Sequence, residues 1–282
     1  GIPVMQYVAP QLWAWAPWRM KRLRRLVDQV ACILPFEQDY FRAHGVNATF
    51  VGHPLFDQVP TNPAPAQNGR FPQSPPVIGL LTGSRRSEAT HNFPHLLDVA
   101  RRIRQQFPDA SFLVPTTAGT HPEVERILRE SEGQSSGLRI EVGLDRFDQM
   151  VPRCDLCITV SGTATLHVAA WGVPMVVVYR IGALQWNLGA RWLVPARTFA
   201  LVNVLAAGSA RGGKEKHVVP EFVPWYGSNE PVAKTALELL KDPTRLTQQK
   251  QQLKQVVGQL SEPGASMKAA RLAIAMMGSQ ST

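Results

Sequence analysis

A chain of 282 residues, 44% hydrophobic and 18% charged, carries enough apolar material for one large domain or two, which excludes intrinsic disorder. No apolar run reaches the ~18 residues that a membrane-spanning helix needs, and no signal-peptide pattern opens the sequence. The formal net charge of +9 calls for an anionic partner, and three cysteines, an odd number, fit a reducing compartment better than a disulfide framework.

Gly1 stands where an initiator methionine would, and residues 5–9 read as a strand entered mid-fold, so further chain is expected upstream. Trp13, Trp15 and Trp18 follow, then Arg19, Lys21, Arg22, Arg24 and Arg25. Leu23, Leu26, Val27 and Val30 recur at helical spacing through this basic stretch, which predicts an amphipathic helix with a cationic face. Such a helix suits an acidic membrane surface, a nucleic-acid patch, or a solvated face with tryptophans packed beneath it. Residues 31–34 read as a strand, 36–43 as a short helix, and 50–55 as a strand running to a break. Residues 60–76 hold six prolines among Asn, Gln, Ser and Gly, a linker composition that marks a domain boundary.

Beyond the linker, strands are predicted at 77–81, 111–114 and 138–142, with helices at 91–106 and 122–131 and a helical turn at 146–151. Residues 157–180 form the centre of this half: an apolar strand, Ser161-Gly162-Thr163, a short helix burying Leu166, Ala169 and Ala170, then Gly172, Pro174 and a second apolar strand. This βαβ pattern implies a buried parallel sheet. After residue 200 comes an irregular basic segment with Arg211, Lys214 and Lys216, and helices are predicted at 231–240, 243–260 and 263–277.

Ligands of such sheets gather at the carboxyl ends of the strands. Two loops there suit phosphate. Ser161-Gly162-Thr163 presents hydroxyls and helix N–H groups. Gly83-Ser84-Arg85 combines close backbone approach, a hydroxyl donor and a bidentate guanidinium fork. His167, one turn after Thr163, shares its face and offers one donor and one acceptor to a ribose or a uracil edge; the alternative is a half-buried histidine bonded to backbone. Cys154 and Cys157 have C-x-x-C spacing without a second pair, so they read as structural thiols, not a zinc site. Neither a P-loop nor a nucleophile elbow is present. Asn203 and Glu221 flank the basic segment and could read a nucleotide or sugar.

At this point a resemblance emerges. Tyr7-Val8-Ala9-Pro10 with Trp13-Ala14-Trp15, Leu34-Pro35-Phe36-Glu37, Phe50-Val51-Gly52-His53-Pro54-Leu55 and Leu81-Thr82-Gly83-Ser84-Arg85 carry it in the first part. Ser161-Gly162-Thr163-Ala164-Thr165-Leu166, Gly172-Val173-Pro174-Met175-Val176-Val177 with Tyr179-Arg180, Asn203-Val204-Leu205-Ala206 and Val219-Pro220-Glu221-Phe222 complete it. In this order, and over nearly the whole chain, the sequence resembles the lipid-A-disaccharide synthases, bacterial inverting glycosyltransferases of the GT-B architecture.

The resemblance implies an α/β fold with two Rossmann-like parallel-sheet domains. Residues 1–59 would be the last part of an incomplete acceptor-binding domain, 60–76 the linker, and 77–282 the UDP-sugar donor domain with its C-terminal helices. The implied reaction moves 2,3-diacylglucosamine from its UDP donor to 2,3-diacylglucosamine 1-phosphate, without metal or other cofactor. It would run at the cytoplasmic face of the bacterial inner membrane, on a peripheral protein that meets an anionic lipid surface and no nucleic acid; a homodimer stays open. Carried over, Gly83, Ser84 and Arg85 would neutralise the departing diphosphate, with Arg85 as the leaving-group residue. Ser161, Gly162 and Thr163 would present N–H groups to it, and Asn203 and Glu221 would contact the donor. The family usually has glutamate where this chain has His167. Its glycine-rich acceptor loop and acidic general base belong to an upstream stretch, and no residue here is nominated as that base. Alternatives are another UDP-sugar GT-B enzyme, MurG-like or UDP-GlcNAc 2-epimerase-like, or a non-catalytic nucleotide-binding remnant.

Overall fold

The computed structural model describes residues 2–59, 75–131, 137–180, 198–208, 217–260 and 263–278. The predicted linker, apart from Pro75 and Pro76, and the basic segment around Arg211 lie outside them. Two parallel sheets organise the described residues.

The strands of the larger sheet are β4 (Val77–Leu81), β5 (Ser111–Thr116), β6 (Arg139–Leu144), β7 (Leu156–Val160), β8 (Met175–Arg180) and β9 (Glu221–Trp225). They run in the order β6-β5-β4-β7-β8-β9. Strands buried on both faces carry apolar residues at every position, and alternate ones feed opposite cores. Ile78, Leu80, Leu156, Ile158, Val176 and Val178 pack against α3 (Arg86–Gln106) and, through Val232, Ala236 and Leu239, against a later helix of residues 230–241. On the other face, Leu81, Cys157, Met175 and Val177 meet Leu166, Val202, Val204, Leu253 and Val256. Gly79 is required by close approach: a Cβ there would lie 2.7 Å from Cys157 Sγ and 3.1 Å from Cys154 Sγ. Both thiols are free and buried, packed beneath that glycine, as the structural reading of the C-x-x-C pair expected.

The smaller sheet orders β1 (Met5–Tyr7), β2 (Gln29–Cys32) and β3 (Ala48–Phe50), all parallel. One face is filled by Leu12, Met20, Val30 and Phe41, with α1 (Met20–Leu26) and α2 (Pro35–Ala43) alongside. Chain order continues through α4 (His121–Glu130), α5 (Phe147–Met150), α6 (Ala164–Ala170), α7 (Leu201–Ala207), α8 (Glu230–Lys241), α9 (Pro243–Gly258) and α10 (Ala265–Gly278). α10 returns to the smaller sheet, where Ala269 packs with Ala31 and Val51. Asp57 holds its N-terminus, accepting from the backbone N–H groups of Gly264 (2.7 Å), Ala265 (3.0 Å) and Ser266 (2.9 Å) and from Ser266 Oγ (2.6 Å). Those bonds hold the Asp57 carboxyl down at about 2. By contact, then, α10 sits with the first unit, although the sequence reading runs the second domain to residue 282.

Several boundaries differ from the sequence expectation. The basic helix stops at Leu26, and Val30 lies in β2. β3 ends at Phe50, with one further bond from Val51 N–H to Cys32 O (2.9 Å), and Pro54–Asp57 is a turn of 3₁₀ helix. α3 begins at Arg86 because Glu88 accepts from the N–H groups of Ser84 and Arg85, closing the first turn. α7 and β9 were not expected; Pro224 inside β9 breaks the pattern that marks a strand. Among the described residues no helix is long and apolar enough to cross a membrane.

Candidate functional site: the cleft at the strand switch

β4 and β7 are neighbours, with Leu81 level with Thr159, and the chain proceeds from them in opposite directions across the sheet. The loops after these two strands therefore emerge side by side, where a parallel sheet opens a crevice. A cleft of about 560 Å³ lies there. Gly83, Ser84, Arg85 and Glu88 line it from the loop and helix start after β4, Ser161, Gly162, Thr163 and Ala164 from the turn after β7, and Tyr179, Thr198, Phe199 and Val223 line it as well. Gln11, Trp13, Ala14 and Trp15 close it from the first unit.

Gly83 has φ +101°, and a Cβ on it would come within 2.8 Å of Glu88 Cβ, so no other residue fits this turn without displacing Glu88. Glu88 Oε2 accepts from Ser84 N–H at 2.9 Å and Arg85 N–H at 3.2 Å, and Oε1 lies 3.3 Å from Arg85 Nη1. The guanidinium reaches outward, with its side chain 78% exposed. Ser161 donates its N–H to Val178 O and its hydroxyl to Phe199 O at 3.2 Å. Thr165 closes the next turn by donating N–H (3.1 Å) and Oγ1 (2.8 Å) to Gly162 O. The N–H groups of Gly162, Thr163 and Ala164 meet no acceptor among the described residues.

Asn203 and Glu221 stand one step behind the cleft. Fully buried Asn203 donates to Val219 O and Glu221 Oε2, both at 3.0 Å, and accepts from Val218 N–H (2.9 Å) and Val219 N–H (3.0 Å). Glu221 in turn accepts from the N–H groups of Phe199 (2.8 Å) and Ala200 (3.2 Å). The sequence reading placed both against the donor; here their side chains fix the segment that presents Thr198 and Phe199. His167 also turns elsewhere. Its ring stacks on Phe147 at 4.3 Å, and Nε2 lies 2.7 Å from Asp148 Oδ1, off the hydrogen-bond line. Trp171 Nε1 donates to that same oxygen at 2.7 Å. Burial lowers the His167 pKa, with Asp148 pulling the other way. Of the nine residues named from sequence, Gly83, Ser84, Arg85, Ser161, Gly162 and Thr163 line the cleft, whereas His167, Asn203 and Glu221 do not. Among the described residues no group of three or more His, Cys, Asp or Glu is arranged to hold a metal.

Neither Trp13, weighed with the basic helix, nor Glu37, present only in a quoted motif, was expected to bear on the cleft. Trp13 Nε1 donates to Glu37 Oε1 at 2.9 Å, and Glu37 Oε2 accepts from the N–H groups of Leu34 (3.1 Å) and Ile33 (3.3 Å). Burial nevertheless pushes the Glu37 carboxyl up from 4.5 to about 7. Between those values the native protein keeps a proton that the unfolded chain has released. Stability is therefore expected to fall as pH rises through that window and to level off above it. Urea midpoints at pH 5 and 8 check this: the drop is expected in wild type and to be smaller in Glu37→Gln, and equal drops would contradict it.

The sequence profile of the lipid-A-disaccharide synthetase family matches residues 2–276. The lipid-A-disaccharide synthase of Geobacter sulfurreducens is 34% identical over 284 residues, covering 99% of this chain and 70% of that protein. The enzyme of Anaeromyxobacter sp. strain K is 36% identical over 280 residues, covering 98% and 70%. This chain belongs to the lipid-A-disaccharide synthase family. The family consists of glycosyltransferases, and the chain spans about 70% of the length of these curated members. Solved structures give the fold. The UDP-GlcNAc 2-epimerase of Neisseria meningitidis, bound to UDP-GlcNAc, superposes with TM-score 0.54 at 14% identity, covering 92% of this chain and 70% of that one. Anabaena HepE in complex with UDP-glucose gives 0.53 at 14% identity, covering 98% and 72%. The architecture is thus GT-B, as the resemblance implied.

Proposed function

We propose that the cleft binds a UDP-sugar and serves the transfer of 2,3-diacylglucosamine from UDP to 2,3-diacylglucosamine 1-phosphate, giving lipid A disaccharide 1-phosphate and UDP. One observation carries this reading: in a member of this family, both phosphate-suited loops converge on a single cleft at the strand switch. In an inverting transfer the acceptor 6-hydroxyl attacks the anomeric carbon opposite UDP. The bond from that carbon to the diphosphate oxygen breaks, and negative charge grows on the departing phosphate. In this reading Arg85 and the N–H groups of Gly162 and Thr163 stabilise it, at about 3–4 kcal/mol for a key donor. In this reading that charge needs no metal, and the hydroxyl proton passes to a base outside the residues named here. Incubating the chain with both lipid substrates tests the reading: disaccharide and UDP are expected at a rate unchanged by EDTA. Turnover of unacylated UDP-GlcNAc to its 2-epimer would favour the epimerase-like alternative instead.

The surface beside the cleft fits a peripheral site on the cytoplasmic face of the inner membrane. Trp15 and Trp18 are 47% and 61% exposed, Arg19 lies 5.6 Å from the Trp15 ring centre, and Lys21, Arg22, Arg24 and Arg25 are exposed around α1. Basic groups beside aromatic ones favour an anionic interface. Co-sedimentation with phosphatidylglycerol vesicles, weakening as salt rises, is the expected outcome; equal absence of binding at low and high salt would remove the membrane role.

A further inference from the structure

Glu37 is an acidic side chain that the fold keeps at 1% exposure. Removing such a group from water is expensive, and apolar residues of similar volume often stabilise as well or better. Its bonds to Leu34 and Ile33 N–H cap α2, but a glutamine at this position caps too. Capping alone therefore does not account for an ionisable acid at this buried position. The remaining oxygen goes to the one polar atom of Trp13, whose ring also packs edge-on against Phe36 at 5.1 Å.

Trp13 belongs to a strap bounded by two non-glycine residues in the left-handed region, Val8 (φ +64°) and Ala16 (φ +53°). Such backbone persists only where its surroundings hold it. The Glu37 bond and a longer one from Tyr40 OH to Leu12 O (3.4 Å) tie the strap to α2. Trp13 thus lines the same cleft as the two phosphate-suited loops. A diphosphate held by those loops carries the uridine on one side and the sugar on the other, and the sugar arm is the one assigned here to the Trp13 side of the cleft. The apolar C–H face of a pyranose suits a large aromatic ring there.

We propose that Glu37 is a positioning residue for the donor: by holding the Trp13 indole N–H, it fixes the ring as the wall against which the sugar of the nucleotide packs. This rests on the donor-site reading above, and the test separates the two. UDP and UDP-GlcNAc are titrated calorimetrically into wild type, Glu37→Gln, Trp13→Phe and the double variant, with urea midpoints as the folding control. In Glu37→Gln the amide oxygen keeps the α2 cap, but its NH₂ then faces the indole N–H, donor against donor.

Wild type is expected to prefer UDP-GlcNAc to UDP. Glu37→Gln and Trp13→Phe should bind UDP as before and lose about five- to tenfold of the sugar nucleotide's affinity, the scale of one hydrogen bond. The double variant should lose no more than either single one, because the pair acts as a unit. Equal affinity of the two ligands in wild type, or a preference that survives Glu37→Gln, overturns the proposal. A loss that falls equally on UDP and UDP-GlcNAc overturns it too, since a purely structural role does that. Binding of neither ligand to wild type overturns the donor-site reading, and this proposal with it.

Discussion

Arg85→Ala is expected to weaken UDP binding by about 10- to 150-fold, the range for a charged hydrogen bond of about 1.5–3 kcal/mol. The side chain is 78% exposed, which points to the lower part of that range in the open cleft. Its ion pair with Glu88 is short-range and open to water at the arginine, and Glu88 keeps its bonds from the Ser84 and Arg85 N–H groups, so losing it should leave the urea midpoint nearly unmoved. Arg85→Lys should recover only part of the affinity, because an ammonium lacks the planar fork that meets two phosphate oxygens. Calorimetry on the three proteins decides: unchanged affinity in Arg85→Ala would mean that the diphosphate is not seated on this loop.

Asn203→Ala should act through stability. Its amide satisfies four buried or half-buried partners at once: Val219 O, Glu221 Oε2, and the N–H groups of Val218 and Val219. Truncation takes the Asn203 bond from all four, leaving Glu221 Oε2 only the Ala200 N–H, and about 3 kcal/mol of destabilisation is expected for breaking such a network. Asn203→Asp is the sharper probe. It can still accept from the two N–H groups, but it sets a carboxylate against Glu221 where an amide donated at 3.0 Å. A urea midpoint unaltered in Asn203→Ala, with UDP affinity alone reduced, would show that the side chain reaches the donor directly, as the sequence reading had it. A lowered midpoint supports the role seen here, holding Phe199 and Ala200 through Glu221.

The large sheet and its phosphate-suited loops were legible because their causes are local. Buried parallel strands must be apolar along their length, and a turn such as the one at Gly83 admits little but glycine. The crossover rule then puts the ends of such strands on one edge, so six cleft residues could be named without coordinates. What folding alone decided involves partners distant along the chain. The Trp13 indole meets Glu37 24 residues on, and Asp57 caps a helix more than 200 residues away. Asn203 spends its amide on backbone 15 and 16 residues later. A polar side chain in a sequence shows which bonds it can make, but not which groups burial will leave within its reach. Asn203, Glu221 and His167 read as ligand contacts for that reason, and tertiary packing turned each toward the protein itself.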